Sequence, residues 1–234
     1  MIIYGGFYMP TILEAINNRS SKRAFLSKAL PQDVLENILQ AAAQTPSGAN
    51  MQPWVVYAIS NQPLLQKIGD AIIEKMNDGV ENDQFIQYYP IKWSNPYKKR
   101  RIETGVGLYT LMEVDRKDTQ TRTKMWHDNF RWFGAQNVIF VCTDKNNIDG
   151  AAGALLDCGA YMQTLMLAAQ EFGVDSCPQG STTEFGRVVA EVLELPENLA
   201  LLYSVVLGYA DNDAKINSYQ PKRVSLAESV TFLN

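Results

Sequence analysis

Histidine is all but missing from this chain, with His127 standing alone among 234 residues. A histidine-based metal cluster is therefore excluded, and no group of His, Asp and Glu has metal-ligand spacing. A Ser-His-Asp hydrolase would have to use His127, yet no Gly-x-Ser-x-Gly elbow exists. His127 is accordingly read as a structural or lid residue. Cysteine is also scarce. Cys142, Cys158 and Cys177 are widely spaced and odd in number, which leaves no zinc spacing and no Cys-x-x-Cys redox pair. They are expected as buried free thiols in a reducing cytosol. There is no basic tract. A net charge of −4 and a pI of about 5.1 argue against binding nucleic acid through its phosphates, though not against one local basic pocket. Neither a P-loop nor a glycine-rich dinucleotide fingerprint is present, and Gly105-Val106-Gly107 has no strand before it. The N-terminal MIIYGGFYMP lacks the basic start and long apolar stretch of a signal peptide. The longest apolar region, residues 151–169, is interrupted by Asp157, Gln163 and glycines, and suits a buried helix better than a membrane span. A cytoplasmic protein with no membrane partner is expected. An enzyme with this inventory leaves its hard chemistry to a borrowed cofactor.

What is present reads as one α+β domain over residues 1–234. Thr11 with Glu14 forms a capping-box pattern, followed by Ile12, Leu13 and Ile16 at helical spacing. Pro31 can open a second helix whose stripe is Val34, Leu35, Ile38, Leu39 and Ala42, and which must stop before Pro46. Residues 54–59 (WVVYAI) read as a strand, and Asn61 with Pro63 starts another helix. Residues 78–125 are rich in charge, Tyr, Asn and Pro. They are expected to leave the core as a lid, with a helical patch at 105–114. Residues 138–142 (VIFVC), 174–177 and 199–207 read as strands. A helix over 151–172, apolar on most faces, needs partners on every side, and a subunit interface is one way to supply them. Alternating helices and strands place helices on both faces of one sheet.

Four stretches could carry chemistry. Arg19-Ser20-Ser21-Lys22-Arg23 offers guanidinium forks and hydroxyls suited to phosphate, or is a solvated basic turn. Thr45-Pro46-Ser47-Gly48-Ala49-Asn50-Met51-Gln52-Pro53-Trp54 is a stiff loop rich in amides. Such a loop suits the hydrogen-bonding edge of a planar heterocycle, or merely joins a helix to a strand. Cys177-Pro178-Gln179-Gly180-Ser181 follows a strand and precedes a helix, and its glycine permits close backbone approach to a ligand. Lys222-Arg223 sits in the polar tail and alone says little.

In this order the stretches resemble the nitroreductase family of FMN enzymes. The likeness extends to Pro96-Tyr97 with Arg100 or Arg101, Gly107-Leu108-Tyr109, Asn129 before Trp132-Phe133-Gly134-Ala135, and Leu207-Gly208-Tyr209-Ala210-Asp211. These are similar to the nitrobenzoate-reductase branch. The resemblance implies a three-layer α-β-α sandwich with a central mixed sheet. It also implies a homodimer with two FMN sites at its interface and a C-terminal tail crossing to the partner. It implies that Arg19, Ser20, Ser21, Arg23 and Arg223 hold the phosphate, ribityl chain or pyrimidine edge. Pro46, Ser47 and Asn50 would come from the other subunit. Asn129 would approach the isoalloxazine edge, and Pro178, Gln179 and Gly180 would place a backbone N–H near the flavin's N5. No side-chain nucleophile is needed, and Arg23 would act as electrostatic stabiliser. The implied reaction is ping-pong electron transfer from NAD(P)H to a nitroaromatic, quinone or similar acceptor. Alternatives on the same fold are reductive dehalogenation, enoate reduction, flavin fragmentation or non-catalytic redox sensing.

Overall fold

The computed structural model describes residues 3–4, 7–8 and 10–233. Strands β1 (Ile3–Tyr4) and β2 (Phe7–Tyr8), which the sequence pattern did not reveal, pair antiparallel. Helix α1 (Ile12–Asn18) begins at the expected capping box: Glu14 N–H donates to Thr11 Oγ1, and the Glu14 carboxylate accepts from Thr11 N–H. Then come α2 (Gln32–Ala42), β3 (Val55–Ile59) and α3 (Gln62–Asn77, capped by the Asn61 side chain). After an irregular stretch, α4 (Tyr97–Leu111) and α5 (Thr119–His127) follow. The chain continues with β4 (Asn137–Asp144), α6 (Gly153–Glu171), β5 (Asp175–Gln179) and α7 (Gly186–Val192). It closes with β6 (Leu199–Gly208) and the short α8 (Leu226–Ser229).

The sheet order is β3-β4-β6-β5 and every neighbouring pair is antiparallel. The mixed sheet expected from the resemblance is thus corrected within this chain. Among the described residues the one parallel pairing is the isolated bridge between Ser21 and Ser176. Alternation along β4 explains the layers, because successive side chains point to opposite faces. Val138, Phe140 and Cys142 face α3 and α7, while Ile139 and Val141 face α2 and α6. A register shift at Val141/Cys142 inserts an extra residue in β6. Leu202 and Tyr203 therefore fall on the same side, and the parity beyond the bulge is reversed.

The lid reading needs adjustment. The helix expected at 105–114 starts at Tyr97, and a second helix occupies Thr119–His127. Neither helix has a buried residue, so neither carries the apolar stripe by which a helix is recognised from sequence. Pro178 lies inside β5 rather than after it. An edge strand tolerates a residue that cannot donate to the ladder.

All three cysteines are buried and free. No described helix is long and apolar enough to cross a membrane.

Asp175 sits at the start of β5, and its burial pushes its carboxyl pKa up, against the opposing pull of Lys22, of hydrogen bonding from Gln170 and of the Ala210 backbone. A carboxyl whose folded pKa lies above the unfolded value contributes most at low pH and loses that contribution as pH rises through the folded value. Asp175→Asn is therefore expected to raise the melting temperature at about pH 7 and to leave it unchanged near pH 3. Thermal melts of both proteins across that range check this.

Candidate functional site

The segment between α1 and α2 is fixed along the free edge of β5. Ser21 bridges Ser176, Lys22 N–H donates to Ser176 O (3.0 Å), and Phe25 N–H donates to Phe133 O (3.0 Å). The buried Asn217, which no sequence signal marked, clamps the same segment. Its Oδ1 accepts from Arg23 N–H (2.6 Å), and its Nδ2 donates to Ala24 O (2.7 Å) and Asp211 O (2.8 Å). The basic run is thus held as an ordered edge rather than a solvated turn.

This scaffold concentrates positive charge. Burial lowers the pKa of Arg19, and the neighbouring Arg223 lowers it further, with Cys177 opposing both. Burial pushes the Cys177 thiol up to about 11, against the pull of Arg23, a hydrogen bond with Ser21 and Arg19. Arg19, Ser21, Arg23, Cys177 and Arg223 therefore form one electrostatic neighbourhood. No carboxylate lies within 4.0 Å of Arg19, Arg23 or Arg223 among the described residues. Among the described residues the Arg23 guanidinium donates only to Ser21 O (3.2 Å) and the Arg223 guanidinium only to Pro221 O (2.9 Å). A half-buried guanidinium, Arg19, with a second, exposed one beside it and no counter-charge is a place that an anion would stabilise.

Three buried hydroxyls, of Ser20, Ser176 and Ser181, have no hydrogen-bond partner among the described residues. Such orphans are costly in an interior unless a ligand or water meets them. Ser176 is the bridge partner of Ser21, Ser20 precedes Ser21, and Ser181 follows Gly180. Sequence reasoning found Ser20 but not Ser176, whose position on a short strand carried no signal.

A cavity of about 260 Å³ opens beside Arg23, walled by Tyr109, Trp126, Asp128, Asn129 and Phe133 among others. Burial raises the pKa of Asp128, with Lys124 and His127 opposing. Asn129 belongs to the turn at 128–134, in which Trp132, Phe133 and Gly134 all have positive φ. Such backbone is strained at non-glycine residues and persists only when packing over-determines it. Here Trp132 and Phe133 are buried in the core, and Trp132 Nε1 donates to Leu65 O (3.0 Å).

The Gln179 side chain is occupied within the chain. Its buried amide donates to Asn129 O (2.8 Å) and accepts from Ser204 Oγ (3.1 Å). The side chain therefore positions the Asn129 turn, and only its backbone remains for a ligand. Gly180 lies under the Tyr88 ring so closely that a Cβ there would sit 2.6 Å from it. The irregular stretch before α4 thus covers Gly180 at the end of β5.

The chain does not bring Pro46, Ser47 and Asn50 to this cluster. Ser47 Oγ accepts from Gln52 N–H (2.8 Å), and Gly48 N–H donates to Asp157 of α6 (3.1 Å). The loop is mostly exposed, and Ala49, Asn50 and Gln52 all have positive φ. No group of three or more His, Cys, Asp and Glu able to hold a metal occurs among the described residues.

The fold is an antiparallel sheet between two helical layers, with an arginine cluster at its edge that has no carboxylate within 4.0 Å among the described residues. The chain belongs to the nitroreductase family, whose model matches residues 16–209. It is 30% identical over 226 residues to the chloronitrobenzene nitroreductase of Comamonas testosteroni, covering 96% of this chain and 98% of that one. It is 29% identical over 221 residues to the 4-nitrobenzoate reductase of Nocardioides sp. (strain LMS-CY), covering 93% and 88%. The solved structure of the FMN and NADPH-dependent nitroreductase NfnB from Sphigopyxis sp. strain HMH superposes with a TM-score of 0.90 at 29% identity, over 96% of this chain and all (100%) of that one.

Proposed function

We propose that this chain is a single-domain, cytoplasmic FMN-dependent reductase that passes electrons from NAD(P)H to nitroaromatic, quinone or similar electron-poor small molecules by a ping-pong cycle. The observation that carries the reading is the Arg19–Arg223 pair without a carboxylate, beside the unpartnered Ser20 hydroxyl. A phosphate monoester on a polyhydroxylated chain supplies the missing anion and the missing hydrogen-bond partners, so FMN fits the donor set. Likeness in name and structure to the FMN and NADPH-dependent relative supports the same choice.

When bound, FMN supplies the two-electron chemistry. Arg19 and Arg223 would hold its phosphate, and Ser20 and Ser21 its hydroxylated chain. Arg23 puts a permanent positive charge at the cavity wall, where it stabilises negative charge accumulating during reduction. Tyr109, Trp126 and Phe133 keep that wall dry and make the arginine's field count for more. Donor and acceptor would share this one cavity in turn, which is the structural basis of the ping-pong order.

The unit is proposed to be a homodimer. Ile12 and Leu13 on α1 and Leu156 on α6 are 76, 71 and 73% exposed, and exposed large apolar side chains of this kind suit a subunit interface. The same assembly would deliver the strained Pro46, Ser47 and Asn50 loop to the partner's site. Leu156→Arg is expected to convert the dimer to a monomer in sedimentation and to lose FMN with it. Retention of a dimer with full FMN would contradict that placement.

The function is tested by stripping the flavin and restoring it. Reduction of 4-nitrobenzoate or a quinone by NADPH should vanish on stripping and return with FMN. Initial rates should give parallel lines in double-reciprocal plots. Turnover without flavin would overturn the proposal.

A further inference from the structure

The cavity beside Arg23 has one carboxyl among its described lining residues, that of Asp128. Around it the wall is largely apolar, with Leu108, Met125, Trp126 and Phe133. Asp128 is fixed through the chain on both sides. Its N–H donates to Lys124 O and closes the last turn of α5. The next residue, Asn129, is tied down twice: its O accepts from Gln179 Nε2 (2.8 Å), and its Nδ2 donates to Trp126 O (2.9 Å). Backbone, not a side-chain bond, therefore sets where the Asp128 carboxyl stands in the wall.

That carboxyl is half-buried and makes no hydrogen bond or ion pair among the described residues. Structural aspartates in this chain look different: the Asp118 side chain caps α5 by accepting from Thr121 N–H (2.9 Å), and Asp70 pairs with Arg131 (2.6 Å). Charged and titratable groups approach Asp128 from each surrounding element. Burial raises its pKa and outweighs the opposing pull of Lys124 and His127 on α5. Arg23 comes from the segment after α1, and Tyr109 from α4 with the Arg122 guanidinium over its ring (5.1 Å). Lys215, next to the lining Ile216, is engaged with Glu113 (2.5 Å). Arginine does not release its proton in a protein. Asp128 and the Tyr109 phenol remain, and a carboxylic acid is the stronger acid of the two kinds. A carboxyl that is kept from ionising readily, spent on no structural bond and open to a cavity is placed to give up a proton there.

We propose that Asp128 is the proton donor in reduction of the acceptor. The inference rests on the reductase reading. The acceptor takes one hydride and one proton, whether a quinone becomes a hydroquinone or a nitro group becomes a nitroso group and water. The hydride, with its electron pair, originates in NAD(P)H, which is oxidised. The proton passes from the Asp128 carboxyl to an acceptor oxygen. In the nitro case an N–O bond then breaks and water leaves. The Asp128 carboxylate recovers a proton from solvent, which its partial exposure admits. Loss of hydride from NAD(P)H consumes no proton, so the role of Asp128 is confined to the acceptor half of the cycle.

The first arm is an infrared titration of the flavin-free full chain against its Asp128→Asn variant. A protonated-carboxyl band that the variant lacks should persist above the pH at which an ordinary aspartate ionises, roughly 4. Ionisation at or below that pH would overturn the inference, whether or not the protein turns over. In the second arm, FMN-loaded protein is reduced with NADPH and mixed without oxygen with nitrobenzene or with ferricyanide, which takes electrons and no proton. Asp128→Asn should slow the nitrobenzene step on the order of 100-fold and leave flavin bleaching by NADPH and the ferricyanide step within about twofold. Asp128→Glu should recover part of the loss. In the unaltered protein the nitrobenzene step should slow as pH rises through the carboxyl's pKa, because the acid form is the donor. That limb should persist in His127→Gln and vanish in Asp128→Asn. Normal bleaching by NADPH with an unchanged nitrobenzene step in Asp128→Asn would overturn this inference alone. Equal slowing of nitrobenzene and ferricyanide would also overturn it, since Asp128 would then only position the flavin. No bleaching by NADPH in the unaltered protein would overturn the reductase reading, and the inference with it.

Discussion

Arg19→Ala is expected to weaken FMN binding on the order of 100-fold and, at the same time, to leave the flavin-free protein at least as stable as before. The two effects follow from one arrangement. A charge-assisted hydrogen bond to phosphate contributes roughly 1.5–3 kcal/mol, which is one to two orders of magnitude in affinity. Without a ligand, Arg19 is only a half-buried cation beside Arg223, and both burial and that neighbour depress its pKa. Its charge opposes folding in the flavin-free state, so removing it relieves repulsion. A merely structural arginine would behave the other way, destabilising the protein and leaving FMN affinity to fall only through unfolding. Fluorescence titration of FMN and a thermal melt of the flavin-free variant separate the two readings. Unchanged FMN affinity would remove Arg19 from the phosphate site.

Gly69→Ala is expected to cost about 3 kcal/mol or more of stability, although helix propensity alone says that it should help by roughly 1 kcal/mol. Gly69 lies in the middle of α3, where alanine is the better helix former. A Cβ at that position, however, would sit 2.0 Å from the carbonyl oxygen of Phe130. That oxygen is backbone and cannot rotate away. It belongs to the 128–134 turn, already strained at Trp132 and Phe133. Packing therefore outweighs propensity, and the melting temperature should fall by roughly 10 °C. Gly105→Ala is the control, because a Cβ there has no neighbour within 4 Å, and it should be neutral or slightly stabilising. Because the 128–134 turn carries Asn129, the folded fraction of Gly69→Ala should also bind FMN more weakly. A neutral Gly69→Ala would mean that α3 and this turn are not in contact as described.

Gly69 also marks where reading the sequence stops. Local rules see only a glycine in a helix. The contact that justifies it comes from residues sixty positions away. Elements whose signal is local were legible: the Thr11–Glu14 capping box, the Asn61 cap of α3, the apolar runs of β4 and β6, and Gly173, which has positive φ after α6. Helices α4 and α5 were poorly legible because they bury nothing, so no periodic stripe marks them. The antiparallel direction of the sheet could not be read either, since β3 and β4 are separated by 77 residues of intervening chain. The site divides in the same way. Arg19, Ser20, Ser21 and Arg23 form a run with visible chemistry, and Arg223 joined them by resemblance. Asn217, Ser176 and the cavity wall at Asp128 gained their places only through tertiary contacts. Gln179 was legible as part of a motif, but the positioning work of its side chain was not, because its amide partners, Asn129 O and Ser204, lie on distant segments.

The central claim is that the arginine cluster at the edge of the sheet holds FMN and that NAD(P)H reduces it there. The visible absorption spectrum of the purified protein, reconstituted with FMN and freed of unbound flavin, tests this before and after anaerobic addition of NADPH. The expected result is a bound oxidised-flavin spectrum that bleaches on mixing. A protein that retains no flavin would contradict the cofactor assignment and every role given to Arg19, Ser20, Ser21, Arg23 and Arg223. A bound flavin that stays oxidised would keep the site and contradict the reductase.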